Sequence, residues 1–368
     1  MCFYRGNKIL EFLINLEYPV SRGDKTVKEF LQDYYDQFII DYKGILESKD
    51  DTVFSKDVCF NAFHKALPMV EETIRHILEV LDYYDEGKMT KERNSFNALM
   101  DRIAGQLYIR IIDSKDEYRN LFYRIRNEKC EERKDLFHIP LDKKHLIKAG
   151  RYSIQGFPCL YLSTYLTLCW FECGMPINFT YSAFRLSSDE IKLINFGSSP
   201  LELASWIDIQ NKNGQSNDMI AATLIRYLIT YPLQVACSIK VADHSVLFIE
   251  EYIIPQLLLL WVKENGKYDG ILYKSSVNND EVKKLGFFNV VLPAKRIKDG
   301  YCEHLNDLFL VSEPKYKQLG FYLESHGFVL DKHEKYMSPA EIDQAVRDVN
   351  FFRDNFYNLH YDDFEHIF

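Results

Sequence analysis

The hydrophobic pattern of this chain changes character near Ser114, and that change limits the folds open to it. Upstream, "KTVKEFLQDYYDQFIIDYKGILES" places Val27, Phe30, Leu31, Tyr34, Phe38, Ile39 and Tyr42 at intervals of three and four. That spacing predicts an amphipathic helix. "FNAFHKALPMVEETIRHILEVLDYYDEG" repeats the pattern, with Pro68 marking a kink or a new start and Gly87 the end. "TKERNSFNALMDRIAGQLYIRIIDS" predicts a further helix. Downstream, "YRNLFYRIRNE" alternates, with Leu121, Tyr123 and Ile125 on one face and Phe122, Arg124 and Arg126 on the other. Helices followed by alternating segments predict an α+β chain. Its 368 residues are comfortable for two or three domains.

The strand signal recurs at "RYSI", "PCLYLS", "INFTYSAFRL", "IKLINFG", "YDGILYKSS" and "FFNVVLP". Helices are expected over Tyr165–Cys173, Pro200–Gln210, Asn217–Leu228 and "EYIIPQLLLLWVKENG". The last holds about ten apolar residues around Pro255, half of what a bilayer requires. The N-terminal apolar stretch is short and broken by Asn15 and Glu17, unlike a signal peptide. Eight cysteines show no C-x-x-C pair, which suits a reduced, cytoplasmic protein without a membrane partner. Cys169 and Cys173, four apart, read as buried thiols rather than zinc ligands, and no metal spacing occurs. A net charge of −9 argues against broad nucleic-acid binding while leaving room for a local basic pocket. Aromatic content of 15% reads first as an aromatic-rich core.

The residues that invite chemistry lie between Ala149 and Cys173, "AGRYSIQGFPCLYLSTYLTLCWFEC", where Arg151, Tyr161 and Glu172 follow one another along a strand-turn-strand-helix segment. Arg124 and Arg126 precede them. "YKSS" brings Ser275 and Ser276 beside Lys274, and "FFNVVLP" brings Asn289. Taken singly, each has a structural explanation: a salt-bridged arginine, a core tyrosine, an exposed helix glutamate.

Taken together, they resemble the RES domain, named for arginine, glutamate and serine. The carriers are "GRY" at Gly150–Tyr152, then Gly156 with Pro158, then "CLYLS" around Tyr161, then a helix ending in Glu172. The family's earlier arginine corresponds to Arg124, with Arg126 as its neighbour. Its serine corresponds to Ser275 or Ser276, and Asn289 with Pro293 matches a following strand. The resemblance covers roughly residues 115 to 300. Tyr152-Ser153 replaces the family's tryptophan-asparagine, and the gap from Arg124 to Arg151 is longer than in compact members.

The resemblance implies an ADP-ribosyltransferase-like fold that binds and splits NAD+, with no cofactor beyond that substrate. Compact members are toxins neutralised by a helix-turn-helix antitoxin. The implied roles are phosphate contacts for Arg124 and Arg151, nicotinamide stacking for Tyr161, ribose stabilisation for Glu172, and substrate binding for Ser275 and Asn289. The acceptor could be water or phosphate in a glycohydrolase or phosphorylase, or a macromolecule in a transferase. A non-enzymatic interaction module is the third reading, and retention of Arg, Tyr, Glu and Ser together weighs against it. The expected organisation is a helical domain over 1–112, the RES domain over 113–300 and a helical extension over 301–368, with a homo-oligomer as a further expectation.

Overall fold

The structure is a computed structural model that describes residues 8–47, 58–116, 119–243, 245–275, 288–320, 324, 336–337, 355–356 and 363–368. Its contacts divide the chain into two units. One comprises Met1–Tyr108 with Asn195–Trp261, the other Ile109–Ile194 with Val262–Phe368.

The first unit is helical. It contains α1 (Lys8–Asn15), α2 (Val27–Glu47), α3 (Val58–Asp85), α4 (Met89–Ile103), α6 (Pro200–Lys212) and α7 (Asn217–Ser238). In α2 the buried residues are Val27, Leu31, Tyr35, Phe38, Tyr42 and Ile45, the stripe that a period of 3.6 produces. Thr26 and Glu29 cap its start reciprocally, Thr26 N–H to Glu29 at 3.0 Å and Glu29 N–H to the Thr26 hydroxyl at 3.2 Å. Helix α3 continues through Pro68 as one element, so the proline starts no new helix. Helix α7 runs through Pro232 to Ser238, ten residues past the expected end. Every residue from Tyr227 to Cys237 is buried, so α7 is enclosed on all sides near its end, as a core helix is. It is long and apolar enough to cross a membrane, yet 72% of its most apolar window is buried inside the protein.

The second unit is built on a sheet. Its strands are β1 (Ile109–Asp113), β2 (Leu121–Arg126), β3 (Cys159–Ser163), β4 (Asn178–Leu186), β5 (Glu190–Phe196), β6 (Gly270–Lys274), β7 (Phe288–Pro293), β10 (Phe309–Val311) and β11 (Lys315–Gln318). The order is β1-β5-β6-β7-β3-β2-β4-β10, with β11 also on β4. A separate two-stranded ribbon joins β8 (Ile297–Lys298) to β9 (Tyr301–Cys302), and a short helix (Glu303–Leu308) follows it. Alternation sends Phe122, Leu160, Leu162, Val290 and Leu292 into one apolar cluster. Tyr123, Ile125, Phe179 and Tyr181 enter another, with α5 (Leu166–Glu172).

The chain is therefore α+β, but its contacts do not divide at residues 112 and 300. Residues 195–261 carry apolar faces that close the core of the N-terminal helices rather than the sheet. The stretch after residue 300, expected to be helical, supplies β10 and β11, because β4 is nine residues long and pairs with both. Most of the chain beyond residue 320 lies outside the described residues.

Candidate active site

The sheet is interrupted where the site residues gather. Strands β2 and β4 pair over six residues and β3 and β7 over five, but β2 and β3 share the single pair Tyr123↔Ser163. Next to that pair Arg124 Nη1 donates to the carbonyl oxygen of Tyr161 at 2.7 Å. Arg124 Nε is buried without a hydrogen-bond partner. Burial, and then the charge of Arg126, pull this guanidinium down to about 9, so it is still a cation at neutral pH. Among the described residues it forms no ion pair with a carboxylate. A partly buried cation left in that state has unused capacity for an anion.

Arg126 does something else. Its Nε donates to Asp135 O at 3.2 Å and its Nη2 to Phe137 O at 3.1 Å. It ties down the 3-10 turn Arg133–Leu136 and its exit. Of the two arginines, Arg124 is the one bonded to Tyr161.

Tyr161 lies at the centre of β3, and its hydroxyl donates to Ser153 Oγ at 2.9 Å. Ser153 closes a tight turn with Gly150, N–H to carbonyl in both directions at 2.9 and 3.1 Å. Gly150 is required by that closeness: a Cβ there would come within 2.9 Å of both Ser153 Oγ and the Tyr161 hydroxyl. Arg151 and Tyr152 form the turn between them. Arg151 is half-buried, while Tyr152 is buried with its ring 4.7 Å from that of Tyr273 on β6.

Glu172 is the last residue of α5 and is exposed. Its Oε1 accepts from Asn289 Nδ2 at 2.6 Å. Asn289 is buried on β7, directly across from Ser163 on β3 and Tyr273 on β6. The Ser163 hydroxyl donates to Asn289 Oδ1, which turns the amide so that its N–H faces Glu172. Ser163 and Tyr161 are two residues apart on one strand, so they share a face about 7 Å apart. Ser275 follows β6, two residues beyond Tyr273. Ser276 lies outside the described residues.

The structure thus joins Arg124 to Tyr161 and Glu172 to Asn289, around β3. Ser163 and Tyr273 were not singled out in the sequence, and Ser153 only as part of the departure from the family's tryptophan-asparagine. The signal for Ser163 is its position two residues after Tyr161 in the alternating "CLYLS", and that for Ser153 is the Gly-x-x-Ser spacing of a closed turn. Among the described residues, no group of three or more His, Cys, Asp or Glu side chains could hold a metal ion.

No family model matches the chain. A Bacillus subtilis (strain 168) protein described as "Putative toxin YopC" is 31% identical over 329 residues, covering 83% of this chain and 70% of the relative. The chain belongs to the YopC family. A solved structure, the M. tuberculosis MbcT-MbcA toxin-antitoxin complex, matches at 12% identity over 61% of this chain and 94% of that one. Its TM-score of 0.29 is too low to assign a fold.

In this YopC-family chain the charges of the site are held apart. The cation stands on β2, and the carboxylate is tied through Asn289 to β7, with β3 between them. Neither neutralises the other, so both can act on a bound molecule carrying an anion at one place and developing positive charge at another.

Proposed function

We propose that this chain is an NAD-consuming enzyme of the RES type, a glycohydrolase or phosphorylase that cleaves the nicotinamide-ribose bond and acts as a toxin. The observation that carries the reading is the separated charge pair: Arg124 on β2, a cation whose buried Nε has no hydrogen-bond partner among the described residues, and Glu172 at the end of α5, a carboxylate held by the amide of Asn289 on β7. The word "toxin" in the description of the Bacillus relative supports the biological side of the reading.

NAD+ matches these groups. Its pyrophosphate suits the planar donors of Arg124, with Arg151 as a second contact. Its nicotinamide is a flat cation that can stack on an aromatic ring such as Tyr161. Loss of nicotinamide leaves an oxocarbenium-like ribose, and Glu172 stabilises that charge as carboxylates do in glycosidases. The leaving group departs as a neutral pyridine, so no general acid is required. The single carboxylate bonded to Asn289 then suffices. Ser275 serves the carboxamide or a phosphate. A toxin acting inside its own cell needs a neutralising partner, and a helix-turn-helix antitoxin fills that role in this reading.

The test is incubation of the purified full chain with NAD+, with and without phosphate, and chromatography of the products. Free ADP-ribose, or ADP-ribose-1''-phosphate when phosphate is present, is the expected result. A labelled macromolecule in place of both would indicate a transferase, and intact NAD+ under every condition would overturn the reading.

A further inference from the structure

We infer that a C-terminal segment of the chain positions the site glutamate. Tyr336 and Met337 clasp the turn that follows Glu172, and Asn127, just past β2, ties the clasp to that turn. The inference rests on the reading of Glu172 given above.

Helix α5 has seven residues and no side-chain cap at its start. A helix that short has little stability of its own, so what surrounds it must fix its last residue. The chain then turns through Gly174 at φ +79° and Met175 at φ +59°. A left-handed methionine is costly and persists only where neighbouring contacts hold it. Those contacts come from far along the chain. Met337 N–H donates to Met175 O at 3.2 Å, and Pro176 forms an isolated antiparallel bridge with Tyr336. The Tyr336 ring lies over Gly174, 3.7 Å from where a Cβ would stand. Asn127 Nδ2 donates to both Cys173 O and the Tyr336 hydroxyl oxygen, each at 3.3 Å.

Apolar packing anchors the clasp from below. Met337 is buried in the cluster that holds Leu168, Trp170 and Phe171 of α5. Phe356 joins the same cluster, its ring 5.3 Å from Trp170 and 6.2 Å from Phe179. The inner face of the helix that carries the glutamate is therefore completed by residues more than 160 positions later. Tyr336, Met337 and Asn127 are positioning residues in this scheme. They touch the backbone on which Glu172 stands and leave the reaction to Glu172.

The experiment compares the full-length wild type with Tyr336→Ala, Tyr336→Phe and Asn127→Ala. Tyr336 is 47% exposed, so its truncation leaves the core intact. Tyr336→Ala is expected to lower kcat on NAD+ about tenfold or more while KM stays within about twofold, because misplacement affects the reacting geometry more than binding. Tyr336→Phe keeps the ring over Gly174 and should restore most of kcat, and Asn127→Ala should fall between the two. Hydrogen exchange supplies a readout that needs no turnover. In Tyr336→Ala the amides of residues 173–175 should exchange about tenfold faster, with those of β3 and β7 unchanged. Unchanged exchange at 173–175 overturns the clasp whether or not NAD+ is a substrate. Faster exchange with an unaltered kcat overturns the positioning role, as does a loss of protection spread over β3 and β7. A wild type inert toward NAD+ whose 173–175 amides still loosen in the variant would sink the proposed function and leave the clasp standing.

Discussion

Two partly buried arginines, Arg22 in the helical unit and Arg124 in the sheet unit, are satisfied in opposite ways. In the helical unit Arg22 meets Glu251 at 2.7 Å, with the Glu251 side chain 2% exposed. Its buried tyrosines close on nearby carbonyls, Tyr35 on Pro232 and Tyr42 on Phe63, both at 2.7 Å. In the sheet unit Arg124 and Arg126 are bonded to carbonyl oxygens alone among the described residues. The sheet is able to pair its arginines with acids, since Arg133 takes both Glu313 and Glu365. The difference is therefore local rather than a property of either unit, and Arg226 of the helical unit likewise bonds the carbonyls of Gln106 and Leu107.

The largest effect expected is in the helical unit. Arg22→Leu strands a buried carboxylate and should cost about 3 to 5 kcal/mol in urea unfolding. Arg124→Leu removes a cation that has no acid partner among the described residues and should cost less than about 1 kcal/mol while abolishing NAD+ binding. Equal losses of stability in the two variants would end the contrast. Next comes Glu172→Gln, expected to fold with a normal Tm and to lose about a hundredfold in kcat, or about 2.7 kcal/mol of transition-state stabilisation. Near-normal turnover would move the catalytic role elsewhere. Gly150→Ala forces its new methyl against the Tyr161 hydroxyl and should cost about 1 to 3 kcal/mol, measurable as a lowered Tm.

A pH titration sharpens the same comparison. Burial pushes the Glu251 carboxyl up, but the Arg22 bond and the N–H groups of Glu251 itself and Ala242 outweigh it and leave the group lowered. A lowered carboxyl stabilises the fold above its unfolded value, about 4.3, and loses that contribution as pH falls through the folded value. Wild-type stability should thus decline below about pH 4.3, and Arg22→Leu should flatten that part of the curve. The smallest change is Tyr161→Phe. It loses one hydroxyl bond, worth about 1 kcal/mol, and keeps the ring for stacking, so turnover should remain within about threefold. A larger loss would give the hydroxyl itself a role in the reaction.

Much of this was legible in the sequence because it is local. The stripe of α2 and the strand alternation around Leu121–Arg126 need only neighbours in the chain. So does the placement of Glu172 at a helix end. What was not legible depends on partners. Periodicity shows that Pro200–Lys212 and Asn217–Ser238 are helices without showing that they share a core with the N-terminal ones. Pro232 argues for a break, yet Tyr35 bonds its carbonyl and eleven consecutive buried residues carry the helix through. Strands β10 and β11 are three and four residues long, too short to alternate visibly, and exist because β4 has room for them. Ser163 looked like an ordinary strand residue until β7 brought Asn289 across from it.

The sheet unit is assembled from two stretches of chain, 109–194 and 262–368, on either side of a helical passage. Translation therefore delivers the glutamate long before its holder: Glu172 leaves the ribosome more than a hundred residues ahead of Asn289. At about 5 to 20 residues per second, several seconds pass in which β3 has no β7 to pair with and Ser163 has no amide to turn. A nascent or truncated chain that stops before Phe288 carries the carboxylate without the arrangement that aims it. On the proposed reading, activity would then begin only after β7 has been made.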